Sequence, residues 1–278
     1  MRPVSATEQF HALVAGDGPD APLDVGCLLI AAHAHPDEDA RSVLTAGLAD
    51  LDALAETCPG PTVDDLRRHL FGDLGFHGNR RRYDDPRNSY LDHVLAQRTG
   101  IPITLAVVMI EVGRRLGIPL DGVGMPGHFL VGLGDGWFVD AFDGGRLLDA
   151  AGCRERFLEL AGPGAPWSDE LLAPVRPQAV LARVLANLRQ LFAAAHDLRG
   201  LDWVLQLRLG IPGVPERERA ERASVLSALG RYDEAAGELE ALARSTLGDT
   251  RHPSGVTIPD DAAVDLRARA ARLRARLN

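Results

Sequence analysis

The sequence predicts an α+β core followed by an all-α region, and three observations carry that prediction. Residues 103–116 (ITLAVVMIEVGRRL) are apolar nearly all round, with Pro102 at the first-turn position and Gly117 and Pro119 just beyond the end. That pattern describes a buried central helix. Short β-like runs follow at 120–124, 128–133 and 137–142, separated by glycine-rich turns. Beyond residue 178, the segments 187–210 and 219–245 each read as a helix, a glycine turn and a second helix. Helices followed by an antiparallel sheet make an α+β layout, and a length of 278 residues suits two domains.

The elements can be justified in chain order. Residues 23–32 form an apolar run, and 43–56 has helical spacing with Val43, Leu44, Leu48, Leu51 and Leu54 on one face. The string Cys58-Pro59-Gly60-Pro61 stops that helix, and Thr62 is the expected N-cap of a new one over 63–71. Residues 72–88 are rich in Gly, Asn, Asp and Pro, which predicts a long irregular loop, and such loops are often functional. A short helix is expected over 88–97. Glu111 should be buried in the central helix and paired with Arg98 or Arg114. Residues 161–177 read as a linker between a core domain (1–160) and a helical domain (178–278). The last element, over 260–277, is an arginine-rich helix whose charge run describes a solvated face or a contact with an acidic partner.

Composition narrows the function classes. With 46% hydrophobic and 25% charged residues, the chain is ordinary for a folded globular protein. No apolar run nears the roughly 20 residues that cross a bilayer, and residues 1–16 lack the layout of a signal peptide. A cytoplasmic location is the expectation. Acids outnumber bases 39 to 30, which disfavours nucleic acid and anionic membranes as partners. All the basic residues are Arg, so every lysine-based mechanism is excluded. Cys27, Cys58 and Cys153 have no metal-ligand spacing. The string 33-HAHPDED-39 resembles part of the His-x-His-x-Asp-His zinc motif of metallo-β-lactamase-type hydrolases, but Glu38 stands where its last His belongs. No metal and no cofactor is expected.

The string 88-NSYLDHVLAQRTGIPITLAVVMIEVGRRLGIPLDGVGMPGHFLVGL-133, followed by 137-WFVDAFDGGRLLD-149, resembles the transglutaminase-like cysteine enzymes. In that family a Gly-x-Cys opens a buried helix ending in Arg-x-Leu-Gly-Ile-Pro, a His opens a strand, and an Asp lies near the end of the next. The helix N-terminus lowers the thiol pKa, His takes the proton and Asp orients the His. Gly100-Ile101-Pro102 falls on Gly-x-Cys, with Ala106, Arg114, His128 and Asp140 on the family's Ala, Arg, His and Asp. The nucleophile is therefore replaced by Pro102. The chain is more closely similar, from about residue 23 to 243, to a bacterial subfamily that joins such a thiol-less core to C-terminal tetratricopeptide repeats. The shared strings are 51-LDAL-54, 75-GFHGN-79, 88-NSYLDHVL-95, 100-GIPIT-104, 126-PGHFLV-131 and 144-GGRLL-148. Two departures stand out: Ala141, where Pro usually follows the Asp, and Gly132, where Arg is common. Leu229, Gly230, Tyr232 and Ala235 sit as in a tetratricopeptide repeat, and Gly200 with Asp202 echoes Gly230 with Asp233.

This resemblance implies a papain-like core carrying His128 and Asp140 as its catalytic remnant. Thr104 and Ser89 are hydroxyls that could stand in for the thiol, although capping and packing are their ordinary uses. Asn88 and Asp92 could line the same cleft or cap helices, and Arg81, in the Arg80-Arg81-Arg82 run, could recognise an acidic ligand. Two functions follow. One is a binding or regulatory protein, with a peptide or small ligand in the cleft and a protein partner on the repeats. The other is a non-thiol enzyme with His128 as general base, oriented by Asp140, acting on an amide or ester in hydrolysis, acyl transfer or cyclisation.

Overall fold

A computed structural model describes residues 4–16, 22–249 and 261–277. The chain divides into two compact units, 1–187 and 188–278.

The first unit opens with α1 (Ala6–Val14), α2 (Leu23–Ala32), α3 (Ala40–Glu56) and α4 (Val63–Arg67). The Ser5 hydroxyl and Glu8 form a reciprocal capping box on α1, and Thr62 accepts from the Asp65 amide at the start of α4. A π-helical turn (Arg68–Asp73) follows α4, where continuous α-helix to residue 71 was expected. The loop over 72–88 contains β1 (His77–Gly78), which pairs in parallel with β2 (Thr99–Gly100). The helix expected over 88–97 is two pieces: a 3₁₀ turn (Pro86–Ser89) and α5 (Leu91–Gln97), parted at extended Tyr90. The central helix α6 (Pro102–Arg115) is buried from Pro102 to Gly113. It packs against α2, α3, α4 and α5 on one side and the sheet on the other. Each large aliphatic side chain it buries is worth about 1.5–3 kcal/mol. Gly113 lets Leu120 pack close to α6, because a Cβ would lie 2.5 Å from the Leu120 Cδ1 and would force that side chain to shift.

The sheet runs β3 (Asp121–Val123), β4 (Leu130–Gly132), β5 (Phe138–Asp140) and β6 (Arg146–Leu148), in that order and antiparallel throughout. Helix α7 (Ala150–Ala161) packs Cys153 and Phe157 onto it. The structure differs from the sequence reading over 161–177. Trp167, Leu171 and Leu172 pack on the Val123–Phe157 core, and Val175 N–H donates to the Gly122 carbonyl at 2.9 Å. This stretch belongs to the first unit, since its scattered apolar residues cap the open end of the sheet core. The division falls later, inside α8 (Pro177–Ala194).

The second unit is all-helical: the end of α8, then α9 (Leu198–Arg208), α10 (Glu218–Ala228), α11 (Tyr232–Asp249) and α12 (Asp261–Arg274). Large apolar residues such as Phe192, Leu201, Val204 and Leu205 are buried in α8 and α9, while the cluster joining α10, α11 and α12 is built from small residues (Ala223, Ala235, Ala236, Ala270) with Leu226 and Leu239. Buried ion pairs add to this: Arg208 to Glu218 at 2.7 Å, and Arg222 to both Asp202 (3.1 Å) and Glu238 (2.5 Å). Gly230 makes the expected turn, at φ +77°. Gly200 does not. The turn lies at Ala195–Asp197 with His196 left-handed, and Gly200 sits inside α9 where a Cβ would strike Phe192 at 2.6 Å. Of the arginine-rich stretch, Asp260 lies outside the described residues.

Candidate functional site

The site is assembled around the first turn of α6. Thr104, at its third position, accepts from the Ile101 amide (3.2 Å) and donates to the Asn88 carbonyl (2.7 Å), with the Ile101 carbonyl also in reach (3.2 Å). Gly100 must be glycine, because a Cβ would meet the Thr104 Oγ1 at 2.8 Å. Asn88 is equally committed. Its amide nitrogen donates to the Arg82 and Tyr83 carbonyls and its oxygen accepts from Asn79 (2.9 Å). These bonds tie the 79–83 loop to the 3₁₀ turn that holds Asn88.

His128 follows Gly127, which turns left-handed at φ +74°, and its carbonyl accepts from Arg183 at 2.7 Å. Its Nε2 lies 2.9 Å from the Asp140 Oδ2, a close contact in which the ring N–H is not aligned as a hydrogen bond. Both residues are enclosed, at 5% and 0% exposure. Asp140 does three things. Its Oδ1 accepts from the Phe142 and Asp143 amides (3.1 Å each), its Oδ2 faces His128, and the same oxygen lies 3.3 Å from the Arg156 Nε. Burial pushes the Asp140 carboxyl up, but His128, Arg156 and the Asp143 amide more than reverse it and leave it below the usual aspartate value. Ala141 opens the 3₁₀ turn that Asp140 caps, so this turn holds without a proline.

Phe142 packs against His128. Its ring stands edge-on to His128 at 6.2 Å and to Tyr83 at 5.8 Å, with the Arg80 guanidinium over it at 5.0 Å. Gly78 admits that ring, since a Cβ there would fall 2.4 Å from it. Arg80 is tied to Asp143 at 2.7 Å. On the outer side of Phe142 lies an open cavity of about 500 Å³, lined by residues 77–81 and 142–144. His128 and Asp140 do not line it. Arg81 does, exposed and with no carboxylate in ion-pair range among the described residues.

The other predicted site residues lie elsewhere. The buried Ser89 Oγ has no hydrogen-bond partner among the described residues, and Asp92 is held by His35 at 2.7 Å. His33 caps into the Leu29 carbonyl (2.8 Å), and among the described residues no group of three His, Cys, Asp or Glu side chains could hold a metal. Glu111 pairs with Arg114 (2.8 Å) and Arg115 (3.3 Å) rather than Arg98, which donates to the Leu74 carbonyl. Burial and the charge of Asp24 push the Glu111 carboxyl up. None of the thiols is poised. Burial raises Cys27, Cys153 is pushed up to about 12 by burial with Asp149 and Asp140, and Cys58 donates to the Gly60 carbonyl. Arg156, Arg183, Phe142 and Tyr83 were not foreseen. Only Phe142 had a sequence cue, next to Asp140.

The profile of the transglutaminase-like superfamily matches residues 38–186, more than half of the chain. The chain belongs to this superfamily. A UPF0162 protein of Xylella fastidiosa (strain Temecula1) is 40% identical over 247 residues, covering 80% of this chain and 87% of that protein. A UPF0162 protein of Pseudomonas aeruginosa is 41% identical over 40% of this chain and 42% of its own length. Human F-box only protein 21 is 31% identical over 46% of this chain but only 21% of that protein. No solved structure matches the chain. Within the transglutaminase-like core, no described helix is long and apolar enough to cross a membrane, and the same holds for the helical unit.

Proposed function

We propose that this transglutaminase-like protein binds a peptide or small ligand through an acidic group, and does not carry out acyl transfer on a thiol. One observation carries the reading: Phe142 lines the open cavity but His128 and Asp140 do not, and both of these are buried. Two others support it. The resemblance puts Pro102, the first residue of α6, where the family has its nucleophile, and the Thr104 hydroxyl beside it is bonded to backbone groups. A proline offers no electron pair for attack, and a hydroxyl held by two carbonyls has no free base. Arg81, facing the cavity, supplies the anion contact, while Arg80 is already neutralised by Asp143. The His128–Asp140 pair then serves as structure, with Asp140 anchoring the turn that carries Phe142.

The competing reading, an enzyme with His128 as general base, draws on the 2.9 Å contact to Asp140. One experiment separates the two. Wild-type protein, Arg81→Glu and His128→Ala are each incubated with fractionated cytosolic peptides and metabolites, and bound and free pools are weighed by mass spectrometry. Circular dichroism verifies that each is folded. The binding reading expects a species retained at unchanged mass by the wild type and lost on Arg81→Glu. A species consumed by the wild type and spared by His128→Ala overturns it.

A further inference from the structure

The helical unit holds a groove of about 580 Å³ between α10 and α12. Its floor is small and apolar, from Ala223, Ala228 and Leu239, and one wall carries Arg269, Arg272 and Arg276. Helix α12 and the 3₁₀ turn that ends it (Ala275–Leu277) present arginines on different faces. Arg274, on another face, is neutralised by Asp233 (3.1 Å) and by Glu240. The three on the groove wall have no carboxylate within ion-pair distance among the described residues, and Arg276 rests its guanidinium over Tyr232 at 5.6 Å. Elsewhere in this unit Arg208, Arg219, Arg222 and Arg231 are all paired with acids. Arg199, Arg217, Arg244 and Arg267 likewise have no ion pair among the described residues, but only Arg269, Arg272 and Arg276 gather on one groove.

We propose that this groove binds an extended acidic peptide segment, with carboxylates on Arg269, Arg272 and Arg276 and an aliphatic side chain on the alanine floor. Charge complementarity names the occupant. Guanidiniums grip carboxylates through paired N–H donors, and the spacing of these three along one helix face suits acids recurring along a peptide. The groove lacks what a single-stranded nucleic acid would use, because no aromatic side chain lines it for base stacking. This site is independent of the cavity at Phe142.

The test uses the full chain and a fluorescein-labelled ten-residue peptide of alternating Glu, Asp and Leu, read by fluorescence anisotropy. Wild type should bind it, and the Arg269→Glu/Arg272→Glu double variant should bind at least about tenfold more weakly, with its circular dichroism unchanged because both side chains are exposed. Raising sodium chloride from about 50 to about 300 mM should weaken wild-type binding several-fold as the charges are screened. Four results would overturn the proposal. They are no binding by the wild type, equal binding by the double variant, equal binding of a peptide with serine at every acid, and tighter binding of a single-stranded oligonucleotide. Self-association that the double variant abolishes, without peptide binding, would assign the groove to a second copy instead.

Discussion

Charge is used differently in the two units. In the transglutaminase-like core the buried acids hold the backbone or lock a neighbour. Asp140 caps two amides while facing His128 and Arg156, and Asp24 and Glu111 share Arg114 and Arg115 at the end of α6. That unit has a large aliphatic core, so its charges are details laid on an apolar scaffold. In the helical unit the cluster between α10, α11 and α12 is rich in alanine, and ion pairs such as Arg208–Glu218 run between helices. The same residue type, arginine, is therefore a clamp where it meets a buried acid, as at Arg208 and Arg222, and has no carboxylate partner among the described residues along the α12 groove. A charge that finds its partner within the chain contributes to structure. One that does not is available to a ligand.

The largest expected break in this comparison is at Asp140. Asp140→Ala removes the partner of an enclosed His128 and Arg156 as well as two amide caps, and should cost about 3–5 kcal/mol in urea unfolding. The pH dependence gives its sign. Because the folded-state pKa of Asp140 is lowered, its contribution is present in full above the ordinary aspartate value and is lost as pH falls below that value and through the folded one. Wild type should then lose more stability than Asp140→Asn on acidification. Equal losses would show that the carboxylate is not held in its charged form.

Next in size is the helical unit's own clamp. Arg208→Met leaves Glu218 enclosed without its partner and should cost about 3 kcal/mol. Arg208→Met/Glu218→Leu should recover most of that loss, because two apolar side chains fill the same space. If the double variant is no better than the single, the pair does more than satisfy itself. The smallest effect is expected at Thr104→Val, which deprives the Asn88 carbonyl and Ile101 amide of their partner, for about 1–3 kcal/mol by thermal unfolding. Any ligand binding at the Phe142 cavity should survive that change once the protein is folded, since Thr104 does not line the cavity.

Much of the core was legible in the sequence because its signals are local. The all-round apolar pattern from Ile103 on, with Pro102 in the first turn and Gly117 behind, describes a buried helix wherever it is placed. The β runs near 121–123, 130–132 and 138–140 were likewise legible from alternation and glycine turns. Gly200 was misread as a turn because a glycine that ends a helix and one that admits a neighbouring ring look alike in sequence, and only Phe192 distinguishes them. The 161–177 stretch reads as a linker because its apolar residues have no period, yet they cover a core formed by distant strands.

The sequence by itself determined much of the helix and strand order and marked His128 and Asp140 as residues worth locating. Each is a matter of residue type and short spacing. Tertiary structure alone decided that Phe142 lines the open cavity while those two are buried outside its lining, that Thr104 is spent on the Asn88 carbonyl, and which C-terminal arginines line a groove without a carboxylate partner among the described residues. Those facts depend on distances between residues tens of positions apart, and no local pattern of backbone preference or hydrophobicity encodes which charge another part of the chain will neutralise.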